Sequence, residues 1–175
     1  MIVLEYLPEE KSFRAVQQKT KQLSKMGHVR KDGRQYLCIE EALYLVESGL
    51  AVVSLEKKRL AVAQLYHILE SANISRLKYA AYSEMVQAGY VLKRSAAGSS
   101  YDYGVYNCMD SYSPMNYRLL VSNGELNTLP STKELKKIAE EQLDTPLLIA
   151  SGDSTNIRIS KFTVLSEENL KMWND

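Results

Sequence analysis

Histidine and cysteine are scarce in this 175-residue chain, which contains two of each. Cys38 and Cys108 are too few and too far apart for a disulfide framework or a cysteine-rich zinc site, so we expect reduced thiols in an intracellular protein. His28 and His67 both lie in the first half of the chain, and His67 stands in an apolar helical run where a structural imidazole is the better interpretation. We expect neither a bound metal nor a cofactor.

Long hydrophobic runs and low-complexity tracts are also missing. No run approaches membrane-spanning length, and the first residues lack the basic lead and apolar core of a signal peptide. With 45% hydrophobic and 25% charged residues, the composition is that of an ordinary globular protein, and the chain can bury one good core or two small ones. Twelve Tyr against two Phe fit semi-exposed interfaces as well as they fit stacking on RNA.

Positive charge is concentrated near the N-terminus, although the net charge is only +1. Between Lys11 and Arg34, eight Lys or Arg residues stand against one acidic residue, Asp32. Such a region can contact phosphates, or it can be a solvated face of an amphipathic helix. The predicted RNA-binding residues are the basic ones of a helix face and a hairpin tip: Lys11, Arg14, Lys21, Lys25, Arg30, Lys31 and Arg34.

Caps and apolar spacing predict the elements of the first half of the chain. The pair Asp32-Gly33 favours the positive φ angles of a tight hairpin. Helices are predicted over residues 8–26, 39–49, 54–70 and 75–88, with short strands over 50–53 and 90–94. These elements make a small α+β module.

Residues 96–175 have the pattern of a mixed sheet. Two strands, the helix TKELKKIAEEQL, the buried strand PLLIAS and the alternating strand NIRISKFTVL follow each other. This order predicts a small sheet with helices on a face. We therefore expect an α+β fold with two domains, over residues 1–95 and 96–175.

Three segments carry a family resemblance. GRQYLCIEEALYLVESGLAVV, YAAYSEMVQAGYVLKR and IASGDSTNIRISKF resemble, in the right order, segments of the tRNA-splicing endonucleases, and most of all their large, non-catalytic structural subunit of the fifty-four type. The resemblance implies a winged-helix-like N-terminal module and an endonuclease-like, restriction-nuclease-like C-terminal domain. It also implies a heterotetramer of two catalytic and two structural subunits that cuts introns from precursor tRNA. The chain lacks the long insertion of familiar members between the two halves.

The family's catalytic Tyr, His and Lys are incomplete here. Tyr106 matches the Tyr, but Asn116 stands at the position of the His and Asp144 near that of the Lys. Metal-free RNA cleavage needs a general base, a general acid and a group that stabilises the phosphorane, so Tyr106 alone cannot run it. The chain is expected to be non-catalytic. The alternatives are an active ribonuclease with an atypical set, Tyr103, Tyr106 and Arg118, and a winged-helix DNA-binding protein.

The C-terminal segment predicts how subunits would pair. NIRISKFTVL is long, alternating and poorly protected by charge, which is typical of an edge strand meant for pairing. The resemblance implies an acidic loop before it that docks into a basic pocket, and the expected interface residues are Asp153, Ile157, Ile159, Phe162 and Val164. The expected partners are the other endonuclease subunits and precursor tRNA, in the nucleus or on the cytoplasmic face of mitochondria.

Overall fold

A computed structural model describes residues 1–16, 23–108, 113–122 and 128–164. Those residues form an α+β fold of four α-helices and two mixed sheets, which confirms the predicted fold class. The winged-helix character of the N-terminal module stays a prediction. Within the described residues, no helix is long and apolar enough to cross a membrane.

The first sheet has six strands in the order β3-β4-β2-β1-β5-β6. Its central strand β1 runs antiparallel to β2 and parallel to β5. The strands are β1 Ile2–Leu7, β2 Ser12–Ala15, β3 His28–Val29, β4 Gln35–Leu37, β5 Ala51–Leu55 and β6 Lys58–Arg59. Single 3-10 turns occur at Pro8–Glu10 and Leu23–Lys25.

The predicted helix over residues 8–26 is wrong. Pro8 does open a helical turn, but that turn ends at Lys11, whose φ of 47° is left-handed, and the chain returns as β2. Phe13 lies directly opposite Tyr6 on β1 and is fully buried. Pairing with β1 therefore overrides the helical spacing of the apolar residues. Residues 17–22 lie outside the described part of the chain.

The first three α-helices of the described chain are α1 Ile39–Glu47, α2 Val62–Ser71 and α3 Arg76–Gln87. Helix α1 packs on the first sheet, α2 packs on α1, and α3 packs on α1 and on the second sheet. The helices predicted over 39–49 and 75–88 are confirmed, and Ser75 caps α3 by accepting a hydrogen bond of 3.1 Å from the backbone N–H of Lys78. The helix predicted to begin at Ser54 is wrong at its start, because Ser54 lies in β5 and a hairpin precedes α2.

The second sheet has five strands in the order β11-β10-β9-β8-β7. Its elements are β7 Val91–Arg94, β8 Tyr103–Tyr106, β9 Tyr117–Val121, α4 Thr132–Glu140, β10 Leu147–Gly152 and β11 Ile157–Phe162. Helix α4 connects the parallel strands β9 and β10, and β11 returns antiparallel at the edge. The strands and helix predicted from the sequence are confirmed. Strand β7 belongs to this sheet, and the division into domains at residue 95 stays a prediction.

One hydrophobic core joins the two sheets. Helix α1, helix α3 and both sheets contribute to a single cluster, while α4 packs through Leu135 and Ile138 on the opposite face of the second sheet. Glu40 of α1 is fully buried at the junction. It accepts hydrogen bonds of 2.9 Å from Arg94 Nε on β7 and from the Tyr103 hydroxyl on β8. This buried charge fixes α1 against the second sheet.

Candidate nucleic-acid interface

The hairpin predicted around Asp32-Gly33 is confirmed. Strands β3 and β4 pair antiparallel, and Gly33 adopts a φ of +73° at the tip. The backbone N–H of Arg30 donates to the Arg34 carbonyl at 3.0 Å, and Asp32 Oδ1 accepts from the Arg34 N–H at 3.0 Å. The acidic residue of the tip therefore shapes the turn.

The three basic side chains of the hairpin differ in their partners. Arg30 pairs with Glu10 and lies over the Tyr36 ring, with its guanidinium carbon 3.8 Å from the ring centroid. Lys31 and Arg34 are exposed, and the described residues offer neither of them an ion pair. Lys31 and Arg34 are therefore the cations of this tip that can contact a phosphate without breaking a salt bridge.

The predicted basic helix face does not exist as a surface. Arg14 lies on β2 and pairs with Glu5 of β1. Lys11 follows the first 3-10 turn and Lys25 ends the second, both exposed. Lys21 lies outside the described residues. That these basic residues bind RNA stays a prediction. Those that the structure describes lie on separate elements and do not share one helix face.

Sequence reasoning missed two other basic groups. The turn between β5 and β6 exposes Lys57, Lys58 and Arg59 at the opposite edge of the first sheet. Its turn residues adopt positive φ without glycine, so no glycine signalled it. The other group is Lys93 and Arg94 at the end of β7, which only the fold brings near the first sheet.

Tyr106 and Asn116 are brought together at the end of β8. The Asn116 backbone N–H donates to the Val105 carbonyl at 2.8 Å, and Asn116 Oδ1 accepts from the Asn107 N–H at 2.9 Å. Burial, with a smaller contribution from Tyr101, raises the pKa of Tyr106. Lys93 Nζ lies 4.9 Å from the Tyr106 ring centroid, a neighbour that the sequence did not suggest. The amide at the expected histidine position thus closes the strand end and offers no general base.

Asp144, near the expected lysine position, is exposed in the turn between α4 and β10. The described residues contain no group of three or more His, Cys, Asp or Glu side chains arranged to hold a metal ion. The functional side chains that this region offers are its tyrosines and its cations.

Arg118 of the atypical ribonuclease set is fully buried and has another role. Its guanidinium donates to four backbone carbonyls around the C-terminal end of α4: those of Ile138 at 2.6 Å, and of Ala139, Gln142 and Thr145 at 3.1 Å. Helix ends leave such carbonyls without intrahelical partners. Tyr103 lies on the opposite face of β8 from Tyr106 and donates its hydroxyl to Glu40. The three side chains of this set do not point into one site.

The predicted interface residues lie at one edge of the second sheet. Ile157 and Ile159 of the edge strand β11 pack against the main core, Phe162 packs against the α4 cluster, and Val164 follows the strand half-buried. Their role in subunit pairing stays a prediction.

Asp153 stands in the turn before β11 and is exposed. Its Oδ1 accepts from the Thr155 N–H at 2.8 Å, the Thr155 hydroxyl at 2.6 Å and the Asn156 N–H at 2.9 Å. These bonds, with that of the Thr155 side chain first, lower the pKa of Asp153, so the carboxylate is ionised near neutral pH. Asp153 shapes the turn and presents a negative charge at its surface.

Comparison with known proteins supports the family resemblance. Residues 1–54 match the family model described as the N-terminal region of tRNA-splicing endonuclease subunit Sen54. A mouse protein named tRNA-splicing endonuclease subunit Sen54 is 32% identical over 95 residues, which are 54% of this chain and 18% of the mouse protein. The N-terminal part of this chain is thus similar to the Sen54-type subunits of the tRNA-splicing endonucleases, which confirms the predicted resemblance. The chain spans about a fifth of the length of this relative.

Proposed function

We propose that this protein is a structural, non-catalytic subunit of a tRNA-splicing endonuclease. It pairs with a catalytic subunit through the edge strand β11 and helps to position precursor tRNA. The observation that carries the proposal is the pair Tyr106 and Asn116: where the family places its catalytic Tyr and His side by side, this chain has a tyrosine beside an amide. Lys93 is a nearby cation, but a general base is still missing among the described neighbours.

The test of catalytic silence is Tyr106→Phe in a complex reconstituted with catalytic subunits. Without a base to accept its proton, the hydroxyl has no reaction to assist, and intron excision is expected to fall less than about threefold. Tyr101→Phe is a matched control because it removes a neighbouring tyrosyl hydroxyl. A hundredfold loss for Tyr106→Phe alone, with the complex intact by size, would establish the atypical ribonuclease and overturn the proposal.

The proposed docking loop can be tested with a change that spares the turn. Asp153→Asn keeps an oxygen that can accept from Thr155 and Asn156 but removes the charge. If the carboxylate is desolvated against an arginine of an opposite subunit, its loss costs roughly 2 to 5 kcal/mol and splits the four-subunit complex into heterodimers. Thr155→Val, which removes a hydroxyl donor without changing charge, is expected to leave the complex whole. Analytical ultracentrifugation at submicromolar concentration distinguishes them, and an intact Asp153→Asn complex rejects docking by charge.

RNA positioning by the hairpin tip is tested by replacing its two unpaired cations. Lys31→Gln with Arg34→Gln removes up to two phosphate contacts, so the slope of log affinity against log salt for precursor tRNA is expected to flatten by roughly 0.7 to 0.9 per contact. Lys57→Gln with Lys58→Gln changes the net charge equally at the other edge of the sheet. Equal effects of the two pairs would mean that the hairpin contributes only general charge.

A nuclear location is part of the proposal, because the expected substrate is a precursor tRNA. The cytoplasmic face of mitochondria is the alternative. Imaging a fluorescent fusion of the chain with markers for both compartments decides between them.

A further inference from the structure

A cleft of about 600 Å³ lies between the first sheet and the end of β7. It is lined from both sheets and from α1 and α3, and its lining residues include three that carry or can carry positive charge: Lys11, His28 and Arg94. Lys31 and Arg34 of the hairpin tip are not among its lining residues. The cleft is therefore a different surface from the hairpin tip, and the proposed function does not use it.

The floor of the cleft contains a phenol without a partner. Tyr82 of α3 is only 2% exposed, and its ring packs against Tyr103 and Tyr44 with centroids 6.0 and 6.5 Å apart. No described residue hydrogen-bonds the Tyr82 hydroxyl. Every fully buried side-chain polar atom of the described residues has a hydrogen-bond partner, so the Tyr82 hydroxyl oxygen is not fully buried. Tyr82 lines the cleft, and its hydroxyl oxygen is accessible from there.

The protonation of the floor suits a ligand rich in acceptors. Burial, followed by the negative charge of Glu41, raises the pKa of Tyr82 well above its ordinary value, so the phenol keeps its proton. Burial likewise raises the pKa of the Cys38 thiol. The neutral phenol can donate a hydrogen bond to a ligand, whereas the Cys38 side chain is already hydrogen-bonded to Glu41.

The rim retains cationic donors that the fold does not use. Arg94 binds Glu40 through Nε and one terminal nitrogen, which leaves its second terminal nitrogen without a partner among the described residues. The Arg94 side chain is 47% exposed, whereas that of Glu40 is 1% exposed. Lys11 is exposed and has no ion pair with any described residue. The Lys93 ammonium lies over the Tyr106 ring, on the other face of the second sheet from Arg94 and Tyr103.

The acidic groups at the cleft are occupied. Arg94 neutralises Glu40, and Glu41 accepts from the backbone N–H groups of Gly27 at 2.6 Å and Cys38 at 2.8 Å. Burial raises the pKa of Glu41. The groups left for a ligand are thus cations at the rim and one neutral donor, the Tyr82 hydroxyl, on the floor.

We propose that this cleft holds one nucleotide of a single-stranded RNA segment, with its phosphate at Lys11 and Arg94 and a base or ribose oxygen accepting from the Tyr82 hydroxyl. A volume of about 600 Å³ is in the range of sites for ligands of this size. Paired bases inside an A-form helix cannot enter a cleft, whereas unstacked bases of loops can. The inference rests on the proposed function only for the source of the RNA.

The test uses the full chain and three probes in fluorescence anisotropy: an unstructured heptanucleotide RNA, a duplex of the same sequence and a nucleoside monophosphate as competitor. Tyr82→Phe removes one oxygen and keeps the packed ring, so it is expected to weaken heptanucleotide binding roughly five- to tenfold without changing the salt slope. Lys11→Gln is expected to reduce that slope by about 0.7. Lys58→Gln, an exposed lysine on the far edge of the first sheet, is the control and is expected to bind as the parent does.

Each other outcome has one meaning. Heptanucleotide binding that is equal in the parent, Tyr82→Phe and Lys11→Gln overturns the cleft site, and so does binding of precursor tRNA or duplex without heptanucleotide. Binding of the monophosphate alone, lost in Tyr82→Phe, overturns the RNA assignment in favour of a free nucleotide. The proposed function is judged separately by assembly and intron excision with catalytic subunits, so it can fail while the heptanucleotide still binds in the cleft, or stand while the cleft fails.

Discussion

Replacing Arg118 is expected to lower the free energy of unfolding substantially, because this side chain holds the second sheet and α4 together. The side chain is 1% exposed, and its guanidinium donates to the carbonyls of Ile138, Ala139, Gln142 and Thr145. Arg118→Met fills most of the same volume but leaves these four carbonyls without their donor. Hydrogen bonds from a charged group contribute roughly 1.5 to 3 kcal/mol each. Because they share one side chain and some carbonyls will find water, we expect a total loss of about 3 to 5 kcal/mol.

The measurement is urea unfolding followed by circular dichroism at pH 7. Lys136→Met is the matched control: it makes the same kind of change on α4, at an exposed side chain 3.8 Å from Glu140, and is expected to cost less than about 0.5 kcal/mol. A protein of this kind has about 5 to 15 kcal/mol in total, so the loss for Arg118→Met would be a large fraction of it. A free energy of unfolding within about 1 kcal/mol of the parent would show that the carbonyls do not need the guanidinium, and would free Arg118 for a role in chemistry.

The remaining predictions concern two neighbouring carboxylates and one glycine. Burial alone would raise the pKa of Glu40, but its bonds to Arg94 lower it below its ordinary 4.5, so this residue stabilises the fold above that pH and the contribution is lost as the pH falls through the lowered value. Burial raises the pKa of Glu41 above 4.5, so its contribution to stability decreases as the pH rises from 4.5. The free energy of unfolding is measured with urea at several pH values from 4 to 7. As the pH rises, that of Glu40→Gln is expected to fall further below the parent's, and that of Glu41→Gln to rise relative to it. Differences from the parent that do not change with pH would contradict these pKa directions. Gly152→Ala is expected to lower the free energy of unfolding by about 2 kcal/mol more than Gly98→Ala does, as measured by thermal or urea unfolding. Both glycines have positive φ, but only at Gly152 would the new Cβ lie 2.2 Å from a backbone oxygen, that of Asn156. Equal losses would mean that the turn shifts freely.

Local signals in the sequence predicted the elements whose ends are determined by neighbouring residues, such as caps and turns. The hairpin at Asp32-Gly33 needs only positive φ at its tip, and Ser75 caps α3 through the next turn of its own helix. The strands of the second sheet, with α4 between β9 and β10, follow from alternation and length. The Sen54-type resemblance likewise depends on contiguous segments.

Pairing between residues that are far apart in the chain determined the features that local sequence patterns could not predict. The apolar spacing from Phe13 onward fits a helix, but Phe13 lies opposite Tyr6, and β1 in turn pairs with β5 some fifty residues later. A periodicity argument weighs neighbours along the chain and cannot weigh such a pairing. The cleft is missed for the same reason, since Lys11, Tyr82 and Arg94 meet only after both sheets form.

The ion pair of Glu40 and Arg94 keeps a carboxylate buried at the junction of the two sheets. Replacing such a pair with apolar residues is often neutral for stability, so stability alone is a weak reason for it. Its geometry is specific, however: the carboxylate binds Arg94 of β7 and Tyr103 of β8 at once, which permits one placement of α1 on the second sheet. Helix α1 follows β4 directly, so this placement also sets the distance from the basic hairpin to the edge strand β11. For a subunit proposed to hold RNA with one element and a catalytic partner with another, a fixed distance between them is the property that matters, and the bidentate bond of Arg94 to the buried Glu40 provides it.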